Sequence, residues 1–385
     1  MAASLGSNTL TGLIPVIYEA MDVIPRELIA GISAVQRDSS ADMAALNQTI
    51  RSHIVPTMAM VDVNPGVTNA NGIAQTIGYA DLQITKVKNV PFVWAGEEQM
   101  ALSSQYAGIV RDQFSQAFRT LANAVENDIV SVAAAGASRA VGTAGTTPFG
   151  VATSMADFAA AVKQLDDSGA PQSDRSMILG TTAAGSIRGN QTILLKANES
   201  GNTNLLRGGD LGQVLNFGLG ASGQVETAAP AAVGTGAAYV TAGALAAGVT
   251  AIPVITGTGT VLAGDVVTVG NFKYVVQAGI AAPGTFTIAA PGLKVGAASG
   301  STVTVNAASV KNVFLQKAGF LLATRLPAMP AGGDAASDMT VVTDPVSGLS
   351  FQIAVYKQYR QITIDVALAW GTKVLRPEYL GVLLG

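Results

Sequence analysis

Apolar residues recur at helical spacing through Tyr106, Val110, Phe114, Phe118, Leu121, Val125, Ile129 and Val132, the signature of a helix with one buried face. Glu97 and Glu98 suit the positive end of a helix dipole, and Gly136 suits its stop. The pattern predicts a single helix of about 38 residues, about 57 Å long, against a mean of about 11–12 residues in globular proteins. Upstream, Leu13, Val16 and Ile17, then Leu28, Ile29 and Ile32, also follow helical intervals, punctuated by Pro15 and Pro25. One or two helices follow, each too short to be stable alone. Between these regions, from Arg51 to Phe92, β-type residues such as Ile84, Val87 and Val90 flank the turn signals Asn64-Pro65-Gly66 and Asn69-Ala70-Asn71-Gly72. That stretch predicts a long two-stranded hairpin, which is marginal without a surface to rest on.

Beyond Thr153 the periods mix. Residues 154–171 read as a helix with Ser154 as N-cap and Asp157 three positions on, closed by Gly169 and Pro171. Short strands follow around Arg175–Gly180 and Leu206–Gly218. From Thr227 to Ala308 only Asp265, Lys273 and Lys294 are charged, and short Val/Thr/Ile runs alternate with glycine-rich turns. This rhythm predicts a compact antiparallel barrel or sandwich, inserted in another domain because mixed α/β texture resumes at Lys311. Two strands flank the turn at Lys357–Gln361. The last residues are unusually apolar, with Leu368, Trp370, Val374, Leu375, Tyr379, Leu380, Val382 and Leu383 relieved only by Lys373, Arg376 and Glu378. Such a tail either closes its own domain's core or packs along the long helix beside a neighbouring subunit.

Charged residues make up 12% of the 385, about half the usual globular share. That deficit points to a β-rich fold with much of its surface covered by partners. Net charge is −3, and no Lys or Arg precedes Arg26, so no basic arm is present to neutralise nucleic-acid phosphates. The uncharged run at 227–264 is broken by Gly, Thr and Pro253 and does not read as a membrane span. The first residues lack a basic segment ahead of their apolar ones, which argues against a secretory signal and for synthesis in the cytoplasm.

Catalytic chemistry finds little support. There is no cysteine, and His53 is the single histidine, which leaves no thiolate or multi-histidine zinc site. No G-x-S-x-G elbow or G-K-[ST] phosphate loop occurs. Gly218–Gly223 matches G-x-G-x-x-G, but the residues after it do not read as a dinucleotide-binding helix. The acidic pairs Glu97-Glu98 and Asp166-Asp167 sit at predicted helix ends, where solvated capping charge is the plain interpretation. A hydrolase working with carboxylates alone has no positive support.

An arm, a hairpin and a long helix that each need neighbours, in this order, resemble the major capsid (coat) proteins of tailed double-stranded DNA bacteriophages. The closer resemblance is to the subgroup with an inserted β-barrel I-domain. It is carried by Leu206–Gly218 ("LRGGDLGQVLNFG"), Asn312–Pro327 ("NVFLQKAGFLLATRLP") and Ser347–Gly385, including Gly371 and Arg376-Pro377-Glu378. The resemblance implies an α+β fold with an N-terminal arm (1–50), an E-loop hairpin (51–95) and a P-domain with a long spine helix (96–150). An A-domain in two parts (151–226 and 309–346) would surround the inserted β domain (227–308), with C-terminal strands (347–385) returning to the P-domain. It implies a structural role: self-assembly into pentamers and hexamers of an icosahedral shell around non-specifically held DNA, with a separate scaffolding protein and a portal protein as partners. The location would be the virion, assembled in the host cytoplasm, with no membrane, cofactor or metal. Candidate subunit-interface residues are Lys86, Lys88, Glu97, Glu98, Arg111, Arg376 and Glu378, with Lys86 and Lys88 expected to meet acidic groups of an adjacent subunit. A bacterial nanocompartment shell and a β-rich glycan-binding surface protein are the alternatives.

Overall fold

The computed structural model describes residues 10–21, 29–54, 78–102, 106–190, 209, 211–227, 233–330, 332–344 and 347–385. Their organising element is helix α4 (Tyr106–Gly136), 31 residues long. Before it come α1 (Leu10–Met21), the single turn α2 (Gly31–Ala34) and α3 (Gly96–Leu102). The helix expected to run from Glu97 is described as α3 and α4, on either side of residues 103–105, which lie outside the described set. Val110, Phe114, Ala117, Phe118, Leu121, Val125 and Ile129 form its buried stripe, the face that the sequence period marks.

Two sheets share this stripe. The first contains β1 (Gln36–Ala44), β4 (Lys86–Ala95), β16 (Phe320–Pro327), β17 (Asp338–Thr343), β18 (Ser350–Gln358) and β19 (Gln361–Val374). At its centre, β19 pairs along one edge with β18 and then β16, and along the other with β4. Its helix-facing residues Ile362, Ile364, Val366, Leu368 and Trp370 join the α4 core, as do Phe351, Ile353 and Val355 of β18. Phe118 meets Phe351 with ring centroids 4.9 Å apart, and Phe114 meets Phe92 of β4 edge-on at 5.1 Å. On the opposite face, Leu321, Ala323 and Ala369 form a smaller core with Leu82 and Ile84. That core seats the hairpin of β2 (Thr49–Ile54) and β3 (Gly78–Gln83). Gly371 permits the close crossing there, since a Cβ would lie 2.1 Å from the Gln83 carbonyl oxygen.

The second sheet runs β5 (Arg139–Gly142), β20 (Leu380–Leu384), β15 (Lys311–Gln316), β6 (Arg175–Leu179), β8 (Phe217–Ala221) and β7 (Gln213–Val214). The apolar C-terminal residues thus form an interior strand of the protein's own sheet, between β5 and β15. Alternation divides their burial: Leu380, Val382 and Leu384 face the α4 core, while Leu383 faces the core under α5 (Ala156–Asp167). Gly381 is required by the second contact, because a Cβ would fall 2.2 Å from the Phe314 ring and 2.4 Å from the Gln164 amide. Helices α6 (Thr181–Asn190) and α7 (Gln224–Thr227) complete this side.

Between α7 and β15, six antiparallel strands close on themselves: β9 (Tyr239–Thr241), β10 (Ala251–Ile255), β13 (Thr285–Ile288), β12 (Phe272–Ala278), β11 (Val266–Val269) and β14 (Thr302–Val305), which returns to β9. A separate core including Tyr239, Ile252, Val267, Tyr274, Phe286 and Ile288 fills this barrel. It attaches to the rest through β12, whose Lys273 and Tyr274 pair with Ala140 and Arg139 of β5. The Gln277 amide donates to the Ala135 carbonyl at 2.7 Å, and Lys294 pairs with Asp167 at the end of α5.

Several expectations need correction. The arm does not wait for a neighbour: Ile17 and Ala20 of α1 are fully buried in the α4 core of the same chain. Pro15 lies inside α1 and not in its first turn, while Pro25 and Leu28 fall outside the described residues. The polar stretch at 36–44 is a strand, paired in parallel with β16. Residues 86–95, assigned by pattern to the hairpin, pair with β19 instead, and the turn signals at 64–72 lie outside the described residues. Residues 312–327 form two strands, one in each sheet, joined by a 3-10 turn at Lys317–Gly319. The N-cap of α5 is Met155, without a side-chain cap bond, and Asp157 accepts from the Phe149 amide at 2.7 Å.

Glu126, fully buried on α4, accepts from the backbone N–H groups of Ala30, Gly31 and Ile32 at 2.9, 2.7 and 3.0 Å. Replacing it by Ala orphans three buried donors, each worth about 1–3 kcal/mol. Glu126→Ala should lower unfolding stability by about 4 kcal/mol or more in a denaturant titration, and Glu126→Gln by about half as much, since the amide keeps one acceptor oxygen. Hydrogen bonds from Lys163 and then Lys294 hold the Asp167 carboxyl down from its ordinary 3.8 to about 2. A depressed pKa stabilises the fold above the ordinary value and ceases to do so as pH falls through the folded one. The melting-temperature gap between the natural protein and Asp167→Asn should be constant above about pH 4 and close toward pH 2.

Candidate functional site

The chemistry-bearing residues are dispersed and structurally engaged. Among the described residues no group of three or more His, Cys, Asp or Glu side chains could hold a metal ion, and no helix is long and apolar enough to cross a membrane. His53 stands opposite Tyr79 in the β2–β3 ladder, and its side chain lies outside the described residues. Of the acidic pairs, Asp166 binds Arg175 at 2.7 Å, Asp167 binds two lysines, and Glu98 accepts from the Ala95 amide at 2.9 Å as a local cap on α3. Two of the 218–223 glycines, Gly218 and Gly220, lie within strand β8 itself and not in a loop after it. Gly220 serves packing: a Cβ there would stand 2.4 Å from that of Ala30.

The candidate interface residues divide into two sets. Lys86 turns inward to Asp128 of α4, and the Trp370 indole N–H donates to the other Asp128 oxygen at 2.7 Å. Arg111 bridges α4 to α1 through Glu19 at 2.8 Å and also meets Asp112. Arg376 sets its guanidinium 5.4 Å from the Tyr379 ring centre and pairs with no carboxylate among the described residues. These three stabilise their own chain. The side chains of Lys88, Glu97 and Glu378 make no hydrogen bond or ion pair among the described residues; Lys88 and Glu97 are exposed and Glu378 is half-buried.

The exposed side chains that sequence reasoning missed mark the open surfaces. Tyr359, 88% exposed, tops the β18–β19 turn, and Met100, 84% exposed, projects from α3. A cleft of about 710 Å³ lies between these elements, lined by Glu97, Gln99, Lys357, Tyr359 and Arg360 among others. Its only signal in the sequence is a Tyr in a turn otherwise made of Lys, Gln and Arg. A second groove of about 310 Å³ runs between β4 and α4, with Val90, Phe92, Ile109 and Ala117 on its floor and Asp112, Gln116 and Thr120 on its rim. Burial unevenly shared by the strand and the helix leaves this apolar floor open. Further exposed apolar side chains stand at Met43, Leu46 and Tyr79, around the hairpin base, where Arg51 stacks on Tyr79 at 3.9 Å and pairs with Asp81 at 2.9 Å.

The Lys86–Asp128–Trp370 contact is unequal in its parts. The Lys86 side chain is 42% exposed and that of Asp128 13%, so the ion pair is solvent-screened while the indole bond is not. Lys86→Ala should cost less than about 1 kcal/mol, and Asp128→Ala about 2–3 kcal/mol through the orphaned indole N–H. Denaturant titration of the two single variants checks the asymmetry.

No protein-family model matches the sequence, and no curated protein matches it. Among solved structures, the chain aligns with one from Mycobacterium phage Che8 at 13% identity and a TM-score of 0.47, covering 92% of this chain and 90% of that one. It aligns with the capsid structure of cyanophage P-SCSP1u at 13% identity and a TM-score of 0.46, covering 93% and 88%. The virus-like particle from Pyrococcus furiosus gives 8% identity and a TM-score of 0.39, covering 96% and 98%.

Proposed function

We propose that this protein is a structural shell protein, a major capsid protein of the tailed-bacteriophage type that self-assembles into an icosahedral container for double-stranded DNA. The observation that carries the proposal is apolar surface left open on a chain of low charge. The groove between β4 and α4, and the exposed side chains of Tyr359, Met100, Met43, Leu46 and Tyr79, present apolar area to solvent, and charged residues make up only 12% of the sequence to solvate it, as suits faces covered by neighbouring subunits. Carboxylates spent on capping and ion pairs also fit a structural role better than a catalytic one.

In this proposal each subunit makes several modest contacts that add through multivalency, arranged as pentamers and hexamers. The barrel of 239–305 corresponds to the inserted domain, α4 to the spine helix, and β2–β3 to the base of the extended loop. A separate scaffolding protein and a portal protein complete the assembly in the host cytoplasm, and the packaged DNA is held without sequence preference, as the net charge of −3 suits.

Size-exclusion chromatography and electron microscopy of the purified protein test this. Uniform angular shells are the expected outcome; a monodisperse monomer at every concentration overturns it, and shells filled with protein but never with DNA point to a compartment instead. Lys88, exposed on β4 without a described partner, takes the interface role expected of both hairpin lysines. Lys88→Glu should reduce shell yield at least tenfold while leaving the protomer's circular dichroism unchanged, and full yield would remove Lys88 from the interface.

A further inference from the structure

We propose that the cleft where the barrel meets the second sheet is a phosphate-binding site, in which Arg139, Lys163 and Lys273 hold the anion. The cleft measures about 320 Å³ and lies between β5, α5 and the start of β12, with Asn271 of the turn before it. At its back is Arg139, only 7% exposed. Buried charges in proteins are almost always paired, yet no carboxylate hydrogen-bonds to this guanidinium among the described residues. One terminal nitrogen donates to the Gln164 carbonyl at 3.3 Å and the Ser168 hydroxyl at 2.7 Å, both neutral acceptors. Those bonds orient the group and leave its Nε and second terminal nitrogen without an acceptor among the described residues.

The remaining lining residues supply the charge that an anion would answer. Lys163 enters from α5 and Lys273 from β12, where its ammonium donates to the Gly142 carbonyl, a neutral acceptor that leaves its charge unanswered, against the single carboxylate of Asp167. Asp167 lies near enough for its charge to act on Arg139, but it is already shared between Lys163 and Lys294 and makes no hydrogen bond to the guanidinium. Three cations and one carboxylate leave two positive charges, the counterpart of a hydrogen phosphate dianion. A lone carboxylate needs only one guanidinium fork; donors arriving from a strand, a helix and the barrel suit a tetrahedral oxyanion better. Burial pulls the Arg139 guanidinium and the Lys273 ammonium below their ordinary values, a cost that a bound anion would offset. Since Arg139 and Lys163 belong to one body and Lys273 to the barrel, the ligand would bridge the two. The inference does not rest on the shell proposal.

Isothermal titration of the full-length protein with inorganic phosphate, at ionic strength held constant with chloride, tests the site. Saturable one-to-one binding is expected, weakened at least tenfold in Arg139→Gln and at least threefold in Lys163→Gln. Lys163 lies on the exposed rim, so its variant decides the matter should Arg139→Gln fail to fold. A short duplex DNA titrated in parallel identifies the source: competition with phosphate assigns a backbone phosphodiester, and phosphate binding alone assigns a free anion. Absence of saturable binding, or equal binding by the natural protein and the folded variants, overturns the proposal.

Discussion

A buried carboxylate that must find hydrogen-bond donors sets the arrangement of this fold. Glu126 lies midway along α4 inside the largest core, where an ionised group without partners would be prohibitively costly. It meets the amides of Ala30, Gly31 and Ile32, and so dictates where the N-terminal segment crosses the helix. Gly31 lies so close that a Cβ would stand 2.9 Å from the carboxylate, and Ala30 in turn presses on Gly220 of β8. From this fixed crossing the chain enters β1, which Arg325 secures by donating to the Asp38 carbonyl and pairing with its carboxylate at 2.8 and 3.1 Å. One side chain thus links arm, long helix and both sheets.

The two sheets are bound to each other as much by chain crossings as by the shared helix. The polypeptide passes from the second sheet to the first at Lys317–Gly319 and returns between Val374 and Leu380. Both crossings meet at one point, where the Gly319 carbonyl accepts from the amides of Leu375 and Arg376 at 2.8 and 3.1 Å. A side chain at Gly319 would collide with Leu380 at 2.6 Å. Neither sheet can shift against α4 without disturbing this junction, so the body behaves as a single packed unit around one helix.

Elements with a strong period were legible in the sequence, and those defined by partners were not. The α4 stripe, the β18–β19 hairpin and the short strands of 239–305 follow from local alternation, because each buries one regular face. The strand at 36–44 carries mostly polar, exposed residues and exists through parallel pairing with β16, which no local pattern records. Val87 and Val90 looked like hairpin residues, but which strand accepts β4 depends on β19, where they pair with Ala369 and Val366. The surroundings of the candidate interface residues were equally hidden. Sequence identifies Lys86 as a cation on a strand, but not that Asp128 and Trp370 wait beside it. The cleft around Arg139 left no trace at all, since its residues come from three separated segments.

The barrel begins and ends on neighbouring strands: Tyr239 and Val240 of β9 lie beside Val303 and Thr302 of β14. To the remainder of the polypeptide this whole excursion therefore resembles a short bridge, because the entropy of joining two anchor points depends on their separation and only weakly on what is hung between them. Insertions in its outer turns therefore cost the surrounding frame little, provided the β12 edge that pairs with β5 is kept.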